Sequence, residues 1–236
     1  LKSLTRYRFS LVQDCARLKS SYARLCVILF PELEKLVPSL HMASVYALLS
    51  EFPSARAISQ CHLTRLSNLL TTASKGRYGK EKAMEIRNAA RDSIGPYSDV
   101  KSLELQQTIQ RIRMMEDQIK QVEAEINPIV DEFHSPLLTI PGISYRMAAI
   151  LIAETENFSN FDSAEKVLAF AGLEPSVYQS GQLTSTHAKM VKRGSKYLRY
   201  ALFNAAKYVC HWDGGFGQYL AKKRAEGKPY NVAVSH

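Results

Sequence analysis

The chain has 236 residues, of which 46% are hydrophobic and 22% are charged, with 11 glycines and nine prolines. This composition excludes a disordered or collagen-like chain and favours helix over a turn-rich all-β fold. The net charge is +9. Residues 180–236 hold ten basic and two acidic side chains, whereas residues 1–179 hold 21 and 20. A positive excess confined to one segment is typical of a surface that binds a polyanion, with a solvated, solubilising surface as the alternative.

The four cysteines are widely separated and form no CxxC or CxxH pair, which disfavours a zinc site and predicts reduced thiols in a cytoplasmic protein. We find no signal peptide and no run of about 18 apolar residues, so we expect no membrane partner. The chain begins without methionine inside a predicted helix and ends where another predicted helix starts. This predicts a piece of a longer protein.

Two long helices with heptad patterns are predicted over residues 1–30 and 98–133. In the first, Leu4, Leu11, Leu18 and Leu25 recur every seven residues. The second carries an apolar stripe at spacings of three and four. Each stripe needs a covering helix, so the two helices pair antiparallel with each other or with the same helices of another copy. The stripe of the second helix consists of Leu105, Ile109, Ile112, Met115, Ile119, Val122, Ile126, Ile129 and Phe133.

The sequence predicts a mainly α fold with two domains. Residues 1–135 are a coiled-coil stalk with a small helical insert over 38–95. Residues 136–236 are a helical domain that contains a helix-hairpin-helix and one helix-poor stretch, 173–190, as an ordered loop or a short hairpin. The predicted helices are 40–51, 54–60, 63–74 and 80–93 in the insert, then 144–156, 162–171, 194–211, 215–226 and a start at 230.

The first segment with chemical potential is the turn formed by Pro141, Gly142 and Ile143, followed by an apolar helix. It resembles a helix-hairpin-helix element, in which backbone N–H groups at a helix N-terminus face a phosphate. Ser144 is the expected N-cap. The alternative is a tight turn that only packs two helices.

Ser180 stands in the helix-poor stretch, beside Gly181 and near Tyr178. A serine hydroxyl becomes a nucleophile when a base takes its proton or a metal polarises its target, and His187 is a candidate base. From the residues alone, a serine in a loop is usually a turn residue. Three carboxylates before this stretch, Glu154, Glu156 and Asp162, are interpreted as capping and flanking helices rather than as a metal site.

A basic run follows, made of Lys189, Lys192, Arg193, Lys196 and Arg199. It leads into a helix that Gly194 or Ser195 can start, and helical spacing then places Lys192, Lys196 and Arg199 on one face. Tyr197 and Tyr200 interleave with them, as a nucleic-acid surface would allow through stacking. The alternative is an amphipathic helix with a wet basic side.

Three segments together resemble the C-terminal transposase domain of the insertion-sequence "one-hundred-and-ten" family, to which the pilin-gene invertases are related. They are the Ile140-Pro141-Gly142-Ile143 turn, Phe170-Ala171-Gly172-Leu173-Glu174-Pro175, and the run from Tyr178-Gln179-Ser180-Gly181 through Lys192-Arg193-Gly194 to Leu198-Arg199-Tyr200-Ala201-Leu202. The heptad–insert–heptad arrangement before them is similar to the family's linker. Val191 stands where a member often has serine.

The resemblance implies that Ser180 attacks a DNA phosphate in the intact protein. It also implies an N-terminal resolvase-like domain with four magnesium-binding acids, which has no counterpart in this sequence, so no metal or cofactor is expected in this chain. The implied partners are DNA, in some members a guide RNA, and further copies of the chain as a dimer or tetramer. Nucleic-acid contacts are expected from Pro141, Gly142, Ile143, Tyr178, Gly181, Lys189, Lys192, Arg193, Lys196 and Arg199.

Two functions stay open at this point. In the first, the chain is a fragment of a transposase or site-specific recombinase that is inactive by itself. In the second, it is a non-catalytic module that binds nucleic acid and multimerises.

Overall fold

The computed structural model describes residues 1–174 and 190–236, together with the backbone of 179–180 and 183–184. These residues are mainly α-helical, which confirms the predicted fold class. Within them the α-helices are α1 Lys2–Leu29, α2 Leu33–Leu36, α3 Ala43–Glu51, α4 Ala55–Gln60, α5 Leu63–Ala73, α6 Lys80–Arg91, α7 Asp99–Glu132, α8 Tyr145–Thr155, α9 Ala164–Ala171, α10 Lys196–Trp212, α11 Gly214–Ala225 and α12 Tyr230–Val234. Two short 3-10 turns lie at Pro136–Thr139 and Phe158–Asn160.

The chain divides into two compact units with their own cores. Unit 1 comprises Leu1–Phe9 and Gln121–His236, and unit 2 comprises Ser10–Lys120. The division predicted from the sequence at residue 135 stays a prediction.

Unit 2 is built from the paired parts of the long helices and the helical insert. Its core joins Tyr22 and Leu25 of α1, Ile109 of α7 and buried residues of α3 to α6. Lys19 forms an ion pair of 2.6 Å with Glu116, while the end of α1 at Leu29 lies against Gly95, just before α7. In this unit α1 and α7 therefore run antiparallel. This is the first of the two predicted pairings, in which the two long helices pair with each other.

Unit 1 is organised around α10. Buried Leu198 and Ala201 of α10 pack with Met147 and Leu151 of α8 and with Ala171 of α9. A second cluster joins α8 to the end of α7 through residues that include Ile126 and Val130. The predicted stripe shifts here, because Val130 rather than Ile129 is fully buried and Phe133 is half exposed. An α-helix has 3.6 residues per turn, so a stripe spaced by sevens drifts around it.

Within the described residues, no helix is long and apolar enough to cross a membrane.

Candidate active site and nucleic-acid interface

The helix-poor stretch contains a short antiparallel hairpin. Strand β1, Gln179–Ser180, pairs with strand β2, Leu183–Thr184, so that Ser180 lies opposite Leu183. Ser180 is therefore at the inner end of β1, directly before the two residues that connect the strands. Tyr178, Gly181 and Lys189, which the sequence analysis selected as contact residues, lie outside the described residues, as does His187.

A backbone clamp holds the two ends of this stretch together. The amide of Val191 donates to the carbonyl of Glu174 at 3.0 Å, and the amide of Lys192 donates to that of Gly172 at 3.0 Å. The amide of Ser195 also reaches the carbonyl of Phe170, at 3.3 Å. The end of α9 and the approach to α10 are thus tied together, so that the residues on either side of 175–189 lie next to each other.

Two glycines make this close approach possible. Gly172 has φ +68°, and a Cβ atom there would lie 2.6 Å from the carbonyl oxygen of Arg193. Gly194 has φ +110°, and its Cβ would overlap the carbonyl oxygen of Phe170. Both positions combine a left-handed backbone with contact between main chains, so both require glycine. This explains why the segments around residues 172 and 194 belong together in the resemblance.

The predicted basic face is correct for Lys196 and Arg199 but wrong for Lys192. Helix α10 begins at Lys196, and Lys192 lies before it with φ +55°. Lys192 and Gly194 both have positive φ values and lie outside any helix, so helical spacing does not apply across them. Lys192, Arg193 and Lys196 are exposed.

The side chains of Arg199, Tyr197 and Tyr200 take part in packing. Arg199 donates from Nη1 to the carbonyl of Ala171 at 2.8 Å, which caps the last turn of α9. Tyr197 and Tyr200 both meet the ring of Phe9 edge-on, at 5.1 Å. Of the two tyrosines, Tyr200 is exposed and Tyr197 is half-buried. Contact of Arg199 with nucleic acid stays a prediction.

A buried carboxylate fixes the start of α10. The sequence analysis interpreted Glu154 as capping or flanking a helix, whereas it lies inside α8. Glu154 is 2% exposed and accepts two hydrogen bonds from Arg6, at 2.8 and 2.9 Å. It accepts a third from the hydroxyl of Ser195 at 2.6 Å. Ser195 in turn accepts from the amide of Leu198 and caps α10. The nearest signal in the sequence was the position of Glu154 within an otherwise apolar helix.

These contacts decide the ionisation of Glu154. Burial by itself raises the pKa of a carboxyl group, but the hydrogen bonds from Arg6 and Ser195 outweigh it and hold the pKa of Glu154 below its ordinary value. The side chain therefore stays charged at neutral pH. The other two carboxylates of this group form exposed ion pairs. Glu156 pairs with Lys2, and Asp162, just before α9, pairs with Lys166.

The turn at Pro141, Gly142 and Ile143 packs against α10. Gly142 has φ +92°, and a Cβ there would lie 2.8 Å from the carbonyl oxygen of Tyr208. The amide of Ile143 donates to Ile140 within the turn. Ser144 occupies the N-cap position of α8, as predicted, but its hydroxyl makes no cap hydrogen bond.

A four-residue 3-10 turn, Pro136–Thr139, precedes this segment. Close packing thus accounts for Gly142, while phosphate contact by the turn and the helix-hairpin-helix assignment stay predictions. Across the described ranges, no three His, Cys, Asp or Glu side chains come together as a metal site.

Comparison with known proteins identifies the part of the chain that carries this site. Residues 134–221 match the model of the transposase IS116/IS110/IS902 family. Over these residues the chain is similar to transposases of that family. It includes the Pro-Gly turn, the clamp, the hairpin, α10 and most of α11.

Similar proteins extend this match over most of the chain. An uncharacterized 43.6 kDa protein of insertion element IS110 from Streptomyces coelicolor is 25% identical over 99% of this chain and 58% of its own length. The pilin gene-inverting protein of Moraxella bovis is 33% identical over 48% of this chain and 36% of its own length. A transposase for insertion sequence element IS1328 of Yersinia enterocolitica is 36% identical over 39% of this chain and 28% of its own length.

Almost the whole of this chain aligns with the Streptomyces relative, but the chain spans only about three fifths of that relative's length. The heptad helices and the insert lie outside the transposase-domain match but inside this longer alignment.

Substitution of the clamp glycines tests the clamp between α9 and α10. We expect Gly172→Ala and Gly194→Ala each to lower the free energy of unfolding by about 2–4 kcal/mol, because left-handed strain adds to backbone overlap. Gly227→Ala is the matched control, since Gly227 has φ +81° but nothing within 4 Å of its Cβ position, and we expect a loss of about 1 kcal/mol there. Urea denaturation measures all three, and equal losses would contradict the clamp.

Removal of Arg6 tests the buried carboxylate. We expect Arg6→Ala to cost about 3 kcal/mol, because it strips the principal partner from a buried charge. Lys2→Ala should cost less than about 1 kcal/mol, because its partner Glu156 is exposed. Denaturation midpoints compare the two variants, and an Arg6→Ala cost no larger than that of Lys2→Ala would refute the role.

The same contact predicts a dependence on pH. Since the pKa of Glu154 is lowered by folding, its stabilisation is complete above the ordinary glutamate pKa and is lost as pH falls through the lowered value. We expect the difference in stability between the wild type and Arg6→Ala to shrink below about pH 4. A difference that stays constant down to pH 3 would show that Glu154 is not held ionised by Arg6.

Proposed function

We propose that this chain is the DNA-handling part of a transposase or site-specific recombinase, and that Ser180 is its nucleophile on a DNA phosphate. The observation that carries the proposal is the match of residues 134–221 to a transposase family, a range that includes both the clamp and the hairpin bearing Ser180. The names of the Moraxella and Yersinia relatives, one inverting a gene and the other a transposase, agree with it.

The proposed reaction conserves the phosphodiester. The Ser180 oxygen attacks phosphorus, a bond forms between them, and the bond from phosphorus to one deoxyribose oxygen breaks. The hydroxyl proton of Ser180 passes to water, and the departing deoxyribose oxygen takes up a proton. A second deoxyribose hydroxyl then attacks the same phosphorus, which frees Ser180 and joins new strands without a nucleotide cofactor.

The exposed cations beside the clamp support a role in holding DNA. Lys192 and Arg193 lie within the clamp, and Lys196 is the first residue of α10 directly after it. Contacts from such side chains to phosphates position the backbone without reading its sequence. In this proposal they place a phosphate at the hairpin, and RNA is the alternative polyanion.

Magnesium, when bound, would stabilise charge that develops on the phosphate oxygens. We propose that its ligands come from residues other than those described in this chain. The step assigned to Ser180 is the formation of the phosphoserine bond, and the clamp keeps the two ends of its hairpin together.

A homo-oligomer is part of the proposal. Helix α7 carries three exposed apolar residues, Val100, Leu103 and Met114, on a helix whose other side is buried in the core of unit 2. A second α-helix covering these residues would remove them from water. Dimers and tetramers are distinguished by the sedimentation velocity of the protein.

Replacement of the serine tests the nucleophile. In the full-length protein we expect Ser180→Ala to abolish both recombination and the covalent protein–DNA adduct, because no oxygen remains to form the phosphoserine. Ser176→Ala is the matched control from the same stretch and should keep both. Denaturing gels detect the adduct, and mass spectrometry of nuclease-treated peptides locates it. An adduct that persists in Ser180→Ala would assign the chemistry elsewhere and favour the non-catalytic binding module for this chain.

Removal of single cations tests the DNA-holding surface. We expect Arg193→Gln and Lys196→Gln each to weaken binding to DNA of any sequence and to reduce the slope of log affinity against log salt by about one. Lys120→Gln removes the same charge from unit 2, where Lys120 pairs with Asp117, and should leave the slope unchanged. Fluorescence anisotropy over a range of salt concentrations gives these slopes; equal slopes for all the proteins would reject the surface.

A further inference from the structure

A groove of about 1020 Å³ lies beside the clamp in unit 1. Leu173, Glu174 and Met190 line it from the clamp, Leu168 from α9 and Val232 from α12. Its surface is mostly apolar and is open to solvent. Of the groups assigned a role above, Lys196 lines the groove at one end, and the rest of this space has no role in the proposed function.

One face of α10 forms the floor of the groove, and its side chains change character in order along the helix. Lys196 and Arg199 come first, Tyr200 and Phe203 follow, and Asn204 comes last. With a rise of 1.5 Å per residue, the distance along the axis from residue 196 to 204 is about 12 Å. A nucleotide presents a phosphate, a flat ring face and a polar ring edge in the same order.

We propose that this groove binds a single unstacked nucleotide, which belongs to the nucleic-acid strand on which Ser180 would act. Its phosphate lies toward Lys196 and Arg199, its base stacks on Tyr200 and Phe203, and its polar edge meets Asn204. The inference rests on the proposed function only in requiring that a nucleic-acid strand reaches the hairpin. Aromatic side chains stack on bases of any sequence, and a base removed from its helix fills a pocket of this kind.

The polar groups of the groove favour a base over an apolar peptide. Asn204 donates from its amide nitrogen to the carbonyl of Tyr200, which leaves its amide oxygen as an acceptor. The carboxylates of Glu165 and Glu174 also line the groove. A buried apolar peptide side chain would desolvate these acceptors without pairing them, at a cost in free energy.

The same acceptors predict which base is preferred. An exocyclic amino group, as in adenine, cytosine or guanine, donates to amide and carboxylate oxygens, whereas thymine has none. We therefore expect the groove to bind an amino-bearing base in preference to thymine.

The position of the groove fits the strand that Ser180 would attack. Glu174 lines the groove, and Ser180 is six residues further along the chain. A fully extended chain of that length spans about 20 Å, so the Cα atom of Ser180 lies no further than this from that of Glu174. The bound nucleotide is thus expected within a few positions of the attacked phosphate.

Fluorescent bases test the groove directly. The full-length protein is titrated with single-stranded oligonucleotides that carry one 2-aminopurine at successive positions, since stacking on an aromatic ring quenches this base. We expect strong quenching at one position and its loss in Phe203→Leu, with affinity for that oligonucleotide reduced about 5- to 100-fold. Phe216→Leu, on an exposed phenylalanine of α11, is the matched control and should behave as the wild type.

A second variant covers the case in which Phe203→Leu does not fold, as judged by its thermal unfolding. Asn204→Ala should keep the quenching but reduce the preference for adenine over thymine at the mapped position. Quenching at no position, or quenching that Phe203→Leu leaves intact, would overturn the inference. A change in sedimenting mass in Phe203→Leu without a change in quenching would overturn it in favour of a protein partner.

The outcome is separable from that of the proposed function. Salt-dependent DNA binding and a Ser180 adduct without site-specific quenching would remove the groove alone. If the wild type binds no nucleic acid at all, the proposed function fails together with it.

Discussion

The carboxylate of Glu154 ties three parts of unit 1 together. It is a residue of α8, it accepts two hydrogen bonds from Arg6 near the start of the chain, and it holds the Ser195 hydroxyl that caps α10. A buried charge is tolerated only when its partners satisfy it, so the contact is directional and fixes its partners closely. Everything assigned to this surface depends on where α10 begins: the clamp, the exposed cations and the floor of the groove.

The clamp joins that fixed helix end to the end of α9. Backbone hydrogen bonds join Gly172 and Glu174 to the residues just before α10, and Arg199 reaches back to the end of α9. These bonds hold together the residues that flank segment 175–189. That segment carries the proposed nucleophile, Ser180. Rigid elements that hold a chemically active loop are the common arrangement of catalytic residues.

The electrostatics of the chain look different once the fold is known. Residues 121–179 hold nine acidic and two basic side chains, and several of the acids pair with the first helix: Glu123 with Arg8, Glu154 with Arg6 and Glu156 with Lys2. Residues 10–120, by contrast, hold 16 basic and 11 acidic side chains. Comparing residues 1–179 with residues 180–236 therefore located the positive excess after residue 179 but did not reveal the excess of basic side chains in unit 2.

Local patterns were sufficient to predict most helices, because apolar spacing, proline and glycine act over a few residues. The predicted helices over 63–74 and 98–133, for example, correspond to Leu63–Ala73 and Asp99–Glu132. The resemblance around Ser180 was also legible in the sequence. The same local reasoning failed at Lys192, which has a positive φ value and lies before the helix instead of within it.

The sequence by itself determined the mainly helical fold, the glycine-bearing segments and the serine between them. Only the tertiary structure decided why Gly172 and Gly194 are glycines, that Glu154 is a buried anchor, and that the face of α10 borders a groove. The physical reason is that each depends on a partner distant in sequence. Arg6 and Glu154 are separated by 148 residues, and no periodicity or motif encodes a contact across that distance.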